Sequence, residues 1–445
     1  MVQYIKYMIT KGLIVMKASL IKEKLATGNF AENLIKLYGD DTKVIELQAQ
    51  RYIKAVEEFE KFYGEDRDIA IYSASGRTEI CGNHTDHNCG LIAAAAITQD
   101  TLCIASKKEE KYVHVASEGY GEIPPVNLEK LRALIDDEGT TKGLVKGVCA
   151  EMIKRGGNCG GLDLYITSDV LKGSGLSSSA AFEVVIATAV NHEYCDGRFT
   201  PVEIAQIGQK AENDYFGKPC GVMDQSVSAV GGCICLDLED LANPKVKQLP
   251  LDLDKFDLAL CTVDCGASHD DLTEEYAGMP SEMKQIASFF MADSLRRLDL
   301  PTIVNHASFL RPIVGDRAVL RAMHFFMECK RVEDLCTYIE KSDREMFIRT
   351  ITDSGHSSYE YLQNAYVPSQ PKNQAMAVAL ATAQSFLADK GGAWRLQGGG
   401  FAGSIQCFVP KSELDKFIKY METVFGEGCC QTLSIRHCGS VKVTD

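Results

Sequence analysis

The chain has 445 residues, enough for two domains, and carries a net charge of −14. This charge argues against binding to nucleic acid or to an anionic membrane surface, since both need a basic protein surface. With 45% hydrophobic residues it can bury a large core, yet no apolar run approaches the roughly 20 residues that span a bilayer. The 17 cysteines form no C-x-x-C pair, which indicates reduced thiols in the cytoplasm.

The first 65 residues are predicted to be mostly helical, because apolar positions recur at roughly helical spacing with Lys and Glu between them. These positions are Ile45, Leu47, Tyr52, Ile53, Val56, Phe59 and Phe62. The start of the chain contains lysines and lacks a small-residue cleavage site, so we interpret it as untargeted. Met16 is an alternative to Met1 as the start, and the sequence leaves both open.

From residue 68 onwards, several stretches alternate with the period of a strand. Strands are predicted over 68–75, 101–108, 111–118 and 161–170. The second and third of these flank a short charged turn, which predicts a β-hairpin. An apolar helix is predicted over 180–194, and a second helix over 202–216.

The rest of the chain is predicted as two strands, at least three helices and a final strand–helix–strand. The two strands cover 231–240 and 256–265, and the helices lie between 281 and 389. Ser412 is predicted to cap the last helix, and Gly426 and Gly428 to end it. A polar stretch with two prolines near 240–255 indicates a boundary. We therefore predict an α+β chain in two halves, 1–245 and 246–445.

The loop "KGSGLSSSAAFEV" (172–184) joins a predicted strand to a predicted helix. Its glycines allow a ligand to approach the backbone closely, and its serines lie where the helix begins. The free N–H groups and the positive dipole end of a helix N-terminus favour a phosphate. An ordinary N-cap after a flexible turn is the alternative. A P-loop, a protein kinase and a G-x-S-x-G hydrolase are not supported, because their motifs are absent.

A second glycine-rich loop, "LQGGGFAGSIQCFV" (396–409), fits G-x-G-x-x-G through Gly398, Gly400 and Gly403. A dinucleotide site needs a helix after this pattern, and here an alternating strand follows. We therefore reject a dinucleotide site and expect the loop to pack against another backbone or a nucleotide.

Two carboxylates flank the turn "GKPCG". Glu212 lies on the predicted helix before the turn, and Asp224 follows it. A glutamate near phosphates can hold Mg²⁺, and an aspartate held by a tight loop can take a hydroxyl proton. The alternative is a surface carboxylate and a turn aspartate.

The stretch "SGRTEICGNHTDHNCG" (75–90) concentrates polar groups in one short segment. His84 and His87, with Asp86 between them, leave a zinc site open, but no further ligand spacing completes one and H-E-x-x-H is absent. Arginine, carboxylate and imidazole groups together suit the recognition of several sugar hydroxyls.

From about Asp68 to the C-terminus, these elements resemble the GHMP kinase superfamily and, within it, the galactokinase family. The family pattern P-G-R-x-N-L-I-G-E-H-T-D-Y-x-x-G stands here as "SGRTEICGNHTDHNCG", P-x-G-x-G-L-S-S-S-A as "LKGSGLSSSA", and T-G-G-G-F-G-G as "QGGGFAG". "CGVMDQ" is similar to C-G-I-M-D-Q, and "HDDLTEEY" keeps the His-to-Tyr spacing of H-x-L-x-x-S-E-Y. The resemblance implies an N-terminal α/β domain, a ferredoxin-like C-terminal domain and a site in the cleft.

The resemblance further implies ATP-dependent phosphorylation of galactose at its anomeric hydroxyl. Asp224 would be the catalytic aspartate with Arg77 paired to it, and Ser179 and Glu212 would hold Mg²⁺. The ATP phosphates would be wrapped by the serine loop: Gly173, Ser174, Gly175, Leu176, Ser177, Ser178 and Ser179. The sugar would be lined by Glu79, Asn83, His84, Asp86, Gly221 and Tyr276. Alternatively, Arg77 is a structural ion pair and Tyr276 a core residue.

The departures from the family pattern lie mainly on the sugar side. Glu79 and Asn83 exchange the family's Asn and Glu, and that Glu accepts a hydrogen bond from a hexose hydroxyl. Further departures are Ser75 and Leu171 for Pro, His87 for Tyr, Gln397 for Thr, and the lack of basic residues after "EY". These changes bear on the identity of the sugar more than on the class of reaction.

Two alternative functions therefore remain open. One is another sugar 1-kinase of the superfamily, acting on an amino sugar, a uronic acid or a pentose. The other is a non-catalytic sugar and ATP sensor, although the presence of Ser179, Glu212 and Asp224 favours an enzyme. We expect sugar and ATP as ligands, no nucleic-acid or membrane partner, and a monomer or weak oligomer.

Overall fold

The computed structural model describes residues 16–170, 175–267 and 272–444. The predicted ATP contacts Gly173 and Ser174 lie outside these residues, as does Leu171. Two sheets with helices packed on them account for most of the described chain, which confirms the predicted α+β class. No helix in these ranges is both long and apolar enough to cross a membrane.

Three helices precede the first long strand and pack on one face of the first sheet. They are α1 (Ala18–Ala26), α2 (Ala31–Tyr38) and α3 (Thr42–Tyr63). Asp41 caps α3 by accepting hydrogen bonds from two backbone N–H groups of its first turn. Val56 and Phe59 are buried against the sheet, whereas Leu47 and Phe62 are exposed. The helical prediction for this region is confirmed over its described residues.

The first sheet is mixed and is built around one long central strand. Its strands up to residue 249 are β1 (Met16–Lys17), β2 (Asp68–Cys81), β3 (Leu91–Lys108), β4 (Tyr112–Ser117), β5 (Gly121–Glu122), β6 (Val126–Asn127), β7 (Gly161–Ser168), β8 (Cys233–Asp237) and β9 (Lys245–Leu249). The main order is β1-β2-β3-β7-β4-β5, and β8 pairs with the other half of β3. The β2–β3 register shifts between Ser75 and Arg77 and again between Glu79 and Cys81. Such irregularities re-aim side chains. Here they lie within the stretch 75–90, which we call the first motif.

The predicted hairpin between 101–108 and 111–118 is wrong. β7 lies between β3 and β4, antiparallel to the first and parallel to the second. The physical reason is burial on both faces of β7. Leu162, Leu164 and Ile166 pack into the core under the helices, and Tyr165 packs against the cluster of α1 to α3. A central position in the sheet covers both faces, whereas a hairpin edge would leave such a strand exposed.

Four helices cover the other face of the first sheet. They are α4 (Thr141–Lys154), α5 (Ser178–Tyr194), α6 (Pro201–Ala211) and α7 (Met223–Val230). A capping box of Thr200 and Glu203, with Pro201 at the first helical position, begins α6. The helix predicted over 202–216 changes at Glu212 into a π-helical turn, Glu212–Phe216. Turns of this kind often mark functional sites.

The second sheet is antiparallel and consists of β10 (Leu258–Ala267), β11 (Ala393–Leu396), β12 (Gly403–Pro410) and β13 (Cys430–Leu433) in the order β11-β12-β10-β13. Between β10 and β11 run α8 (Thr273–Phe289), α9 (Leu300–Val314), α10 (Asp316–Glu340), α11 (Arg344–Ser357) and α12 (Ala375–Leu387), and α13 (Leu414–Phe425) joins β12 to β13. This βαββαβ arrangement with the first strand inside is the predicted ferredoxin-like half.

The observed ends of α13 agree with one of the predicted capping residues and disagree with another. Gly426 ends the helix with a φ of 92°, as predicted. The prediction of Ser412 as N-cap is wrong, because a 3-10 turn, Lys411–Glu413, precedes the helix and Glu413 takes the cap position. An exposed proline-led turn tightens the chain there before the α-helix starts.

The chain crosses from the first sheet to the second and later returns to the first. β9 still pairs with β8 of the first sheet, and the chain crosses to the second sheet between Leu249 and Leu258. After β13, the chain returns to the first sheet, where β14 (Val441–Lys442) pairs with β2. The division into 1–245 and 246–445 stays a prediction.

Candidate active site

A cleft of about 770 Å³ opens between the two halves. It is bordered by the first motif, the π-helical turn with the segment after it, α8 and the second glycine-rich loop. The lining includes Arg77, Glu79, His84, Asp86, Glu212, Lys218, Cys220, Gly221, Asp224, Gln225, Tyr276, Gly398 and Gly399. Segments that are far apart in sequence, including eight of the predicted site residues, therefore meet at one cavity.

Arg77 and Asp224 form a two-point ion pair in this cleft. Arg77 Nε donates to Asp224 Oδ1 at 2.7 Å, and Nη2 donates to Oδ2 at 2.9 Å. The Ser177 hydroxyl also donates to Oδ2. The arginine side chain is nearly buried, while that of Asp224 remains 30% exposed. The aspartate is thus held in a fixed orientation with one side open to the cleft.

The serine loop is docked directly on β2. The Arg77 N–H donates to the Leu176 carbonyl at 3.0 Å, and a Cβ added to Gly76 would lie 2.9 Å from the same oxygen. Leu176 itself is buried in the core. Glycine at 76 therefore lets the loop approach closely enough for Ser177 to reach Asp224.

The serines begin α5 without acting as an ordinary cap. Ser177 occupies the N-cap position with a φ of 62°, yet its hydroxyl bonds to Asp224 and caps no backbone N–H. Ser178 and Ser179 form the first turn and are half-buried. The first-turn N–H groups of this 17-residue helix and its dipole make its start favourable for phosphate.

Glu212 lies at the centre of a hydrogen-bonded acidic group. Its carboxylate accepts from Lys218 Nζ at 3.0 Å, from Cys220 Sγ at 3.0 Å and from Gln225 Nε2 at 2.9 Å. The same Gln225 nitrogen donates to Glu183 at 3.0 Å. Burial, followed by the charge of Glu212, raises the pKa of Glu183 well above its usual range.

The two residues predicted to hold Mg²⁺ do not form a closed protein cage by themselves. Within the described residues, no three His, Cys, Asp or Glu side chains cluster as a metal site. Ser179 and Glu212 offer one hydroxyl and one carboxylate oxygen donor. This set suits Mg²⁺ when phosphates and waters supply the remaining ligands.

The predicted sugar contacts His84, Asp86 and Gly221 lie on one wall of the cleft. His84 Nε2 is 3.0 Å from the Gly399 carbonyl, and burial, followed by the charge of His87, lowers the pKa of His84. A Cβ at Gly221 would lie only 2.2 Å from Asp86 Oδ2, so only glycine leaves room for that carboxylate. A carboxylate and an imidazole therefore face the cavity.

Tyr276 closes the wall from α8. Its hydroxyl donates to the Gly400 carbonyl at 2.8 Å, and burial raises its pKa to about 12. A Cβ at Gly399 would lie 2.7 Å from the Tyr276 ring. The second glycine-rich loop thus packs against a side chain of the first motif and against α8. It also contacts the serine loop, because Gln397 Nε2 donates to the Gly175 carbonyl at 3.2 Å.

Glu79 and Asn83 differ in their access to the cleft. Glu79 is among the lining residues, and Arg395 Nη2 donates to its Oε1 at 2.6 Å. Asn83 is 1% exposed and lies behind the wall, where Asn364 Nδ2 donates to its Oδ1 at 2.8 Å. The two side chains predicted as sugar contacts therefore do not occupy equivalent places.

Several buried residues that support the first motif were not predicted. Glu328 on α10 accepts from the Gly82 N–H at 2.9 Å and from Arg331 Nε at 2.7 Å. Burial acts to raise the pKa of Glu328, but Arg331 and other nearby cationic groups hold it well below its usual range. His324 Nε2 lies 2.9 Å from the Asn83 carbonyl. These residues belong to a helix whose sequence pattern carries no motif, so only the fold identifies them.

The fold and the cleft together define a GHMP kinase. The GHMP kinases N terminal domain model matches residues 143–232, and the galactokinase galactose-binding signature matches residues 57–107. Galactokinase of Streptomyces coelicolor is 30% identical over 374 residues, covering 83% of this chain and 92% of that protein. Galactokinase of Clostridium tetani is 30% identical over 366 residues, covering 81% and 89%. The chain belongs to the galactokinase family.

A solved structure agrees with this assignment at the level of the fold. The crystal structure of Lactococcus lactis galactokinase complexed with galactose superposes with a TM-score of 0.75 at 23% sequence identity. The match covers 87% of this chain and 98% of that one. The two-half architecture predicted from the sequence is therefore the architecture of a known galactokinase.

Proposed function

We propose that the protein transfers the γ-phosphoryl group of ATP to the anomeric hydroxyl of galactose, giving galactose 1-phosphate and ADP. The observation that carries the proposal is the Arg77–Asp224 pair, bound by Ser177 of the serine loop and open to the cleft. It lies in a chain that belongs to the galactokinase family. The acceptor hydroxyl loses a proton, its oxygen bonds to the phosphorus, and the bond from the γ-phosphorus to the bridging oxygen breaks.

Each residue of the pair has a distinct role in this transfer. Asp224 accepts the hydroxyl proton or orients that hydroxyl for in-line attack. Arg77 holds the carboxylate at two points and stabilises the charge that develops beside it. Ser177 links the aspartate to the loop that carries the phosphates, so the acceptor and the donor are positioned relative to each other.

We assign binding of the nucleotide phosphates to the serine loop, the start of α5 and Glu212. We call this region the phosphate end of the cleft. Gly173, Ser174, Gly175, Leu176, Ser177, Ser178 and Ser179 would wrap the phosphates. Ser179 and Glu212 would hold Mg²⁺, which neutralises phosphate charge when bound. Lys218, whose ammonium contacts Glu212, would have to yield that carboxylate oxygen as the metal–nucleotide complex binds.

We assign the sugar end to His84, Asp86, Gly221, Tyr276 and Glu79, with Asn83 supporting this wall from behind. Asp86 offers acceptor oxygens, the glycine backbone allows close approach, and the imidazole and phenol present ring surfaces with polar tips. We further propose that the protein acts in the cytoplasm as a monomer or weak oligomer. The 17 free cysteines support a reducing compartment.

A sugar panel with coupled ADP detection tests the proposal. We expect ADP release with galactose above all other sugars. Preference for an amino sugar, a uronic acid or a pentose would instead indicate another sugar 1-kinase of the superfamily, the alternative that the Glu79–Asn83 exchange leaves open. Binding of sugar and ATP without ADP release from any sugar would indicate a sensor.

Asp224→Asn tests the reacting group itself. This change keeps the shape of the side chain but removes the base, so we expect kcat to fall about 10²- to 10⁴-fold while ATP binding stays measurable by calorimetry. Asp136→Asn, at an exposed aspartate outside the cleft, is the matched control and should leave kcat unchanged. Near-wild-type turnover of Asp224→Asn would show that another group takes the proton.

A further inference from the structure

The side chains of Glu79 and Asn83, whose residue types are exchanged relative to the family pattern, lie in contact with each other. Asn83 Nδ2 donates to Glu79 Oε1 at 3.0 Å. The family's carboxylate–amide pair is therefore retained with its two members in exchanged positions. What differs is which of them reaches the cleft.

Asn83 has no hydrogen-bonding capacity directed at a ligand. Its amide donates one N–H to Glu79 and the other to the Gly398 carbonyl at 2.8 Å, and its Oδ1 accepts from Asn364. The residue is 1% exposed. An amide nitrogen has two donors, and both are used within the protein.

Glu79 is only half satisfied by the protein. Oε1 accepts from Asn83 and from Arg395, which also donates through Nη1 to the Glu79 carbonyl at 3.0 Å. Among the residues that the structure describes, none donates a hydrogen bond to Oε2. Glu79 nevertheless lines the cleft. A nearly buried carboxylate with a free oxygen gains considerably from a donor, since an unmatched buried acceptor is costly.

The position of Glu79 relative to the reacting pair indicates which part of a substrate it faces. Glu79 and Arg77 are two residues apart on β2, so they point to the same face and are separated by about 6 to 7 Å along the strand. Arg77 marks the reacting end of the cleft. A donor group bound by Glu79 therefore belongs to a part of the sugar away from the hydroxyl that is phosphorylated.

We propose that Glu79 is the carboxylate that selects the substrate, accepting a hydrogen bond through Oε2 from a sugar hydroxyl away from the anomeric centre. Arg395 is a positioning residue that fixes the orientation of Glu79, and Asn83 supports the wall from behind without contacting the sugar. This inference rests on the proposed function, because it takes the ligand of the cleft to be a sugar.

The test compares galactose with its monodeoxy analogues in wild type and in Glu79→Gln. Sugar affinity is measured by calorimetric titration, so the result does not depend on turnover. Wild type should lose about tenfold to a hundredfold in affinity for one deoxy sugar, the size of one hydrogen bond to a charged group. Glu79→Gln should lose a similar factor for galactose but bind that deoxy sugar almost as wild type does, because the contact is already absent.

A second variant distinguishes the carboxylate from the integrity of the wall. The double exchange Glu79→Asn with Asn83→Glu keeps the carboxylate–amide pair but moves the carboxylate to the position behind the wall, so it should lose the preference for the hydroxyl that Glu79 senses. If Glu79→Gln does not fold, this variant and the wild-type deoxy series carry the test. Retention of that preference in the double exchange, or no deoxy sensitivity in wild type, overturns the proposal.

The remaining outcomes separate the two hypotheses. Equal losses for galactose and every deoxy sugar in Glu79→Gln would mean that Glu79 is structural, and the inference fails. If wild type binds galactose with the expected deoxy sensitivity but releases no ADP, the proposed kinase activity fails while the role of Glu79 stands. If wild type binds no sugar, both fail.

Discussion

The two ends of the cleft are built differently. At the proposed sugar end, the first motif is held from behind by buried groups of α10, by Arg395 and by the second glycine-rich loop. At the phosphate end, Ser178 and Ser179 are half-buried at a helix start, and Glu212 contacts the partly exposed Lys218. This difference matches the needs of the two proposed ligands, a sugar and a metal–nucleotide complex. A neutral sugar needs a rigid surface of oriented hydrogen-bonding groups, whereas a hydrated metal–phosphate complex brings its own charge and ligands.

Removal of the Glu328 side chain should give the largest loss of stability at the sugar end. Glu328→Ala leaves the Arg331 guanidinium and the Gly82 N–H without their shared acceptor in the interior. We expect the free energy of unfolding to fall by about 3 to 5 kcal/mol, the usual result of leaving one partner of a buried ion pair uncompensated. Chemical denaturation measures this loss.

Glu333→Ala is the matched control for Glu328→Ala. Glu333 lies on the same helix, but its side chain is 57% exposed and forms an ion pair with the surface residue Lys330. We expect its loss to be within about 0.5 kcal/mol. If the two variants lose similar stability, the first motif does not depend on support from α10.

Ser179→Ala tests the phosphate end, where we expect an effect on binding and little on folding. Removing one hydroxyl ligand should weaken the binding of the Mg²⁺–nucleotide complex by about 10- to 100-fold, a range typical of metal sites that lose one supporting group. The free energy of unfolding should change by less than about 0.5 kcal/mol, since the side chain is half-buried. Calorimetric titration of a non-hydrolysable ATP analogue with Mg²⁺ gives the affinity.

The control for Ser179→Ala is Ser412→Ala, at an exposed serine before α13. It should leave both nucleotide affinity and stability unchanged. An unchanged affinity in Ser179→Ala would remove this hydroxyl from the metal site. A large loss of stability would instead show that the phosphate end is as tightly interlocked as the sugar end.

The same contrast explains what could be predicted from the sequence. Arg77, the serine loop and Asp224 lie within contiguous motifs whose residue types report their chemistry, and the fold brings them together. Glu328, His324 and Arg395 act on those motifs from distant segments, and a charged residue is ordinarily expected on the surface. Tertiary contacts alone show that these three are buried.

Errors in the fold prediction have the same origin. Neighbouring alternating stretches with a short turn favour a hairpin, and only the burial of β7 on both faces places it between β3 and β4. Likewise, Asn83 stands in the expected motif position, but contacts with Gly398 and Asn364 use up its amide. Long-range pairing and competition for hydrogen bonds cannot be read from local patterns.

The smallest expected effect concerns Glu183, which shows whether the phosphate end contains an unmatched buried charge. Its Oε1 and Gln225 Oε1 have no hydrogen-bond partner among the described residues. Because burial and Glu212 raise the pKa of Glu183, the folded state keeps a proton that the unfolded chain releases above the usual carboxyl pKa. This residue therefore lowers stability as pH rises through and above that range. Glu183→Gln is neutral at every pH and can donate an N–H to the unpaired Gln225 oxygen.

We therefore expect Glu183→Gln to be more stable than wild type at pH 8 and to approach it as the pH falls towards the usual carboxyl pKa. Urea unfolding at pH 8 and pH 5 measures the difference at each value. Glu65→Gln, at an exposed glutamate, should show no such dependence. A stability difference that is the same at both pH values would mean that Glu183 is ionised in the folded protein. The acidic group at the phosphate end would then be balanced by its neighbours, as Glu328 is at the sugar end.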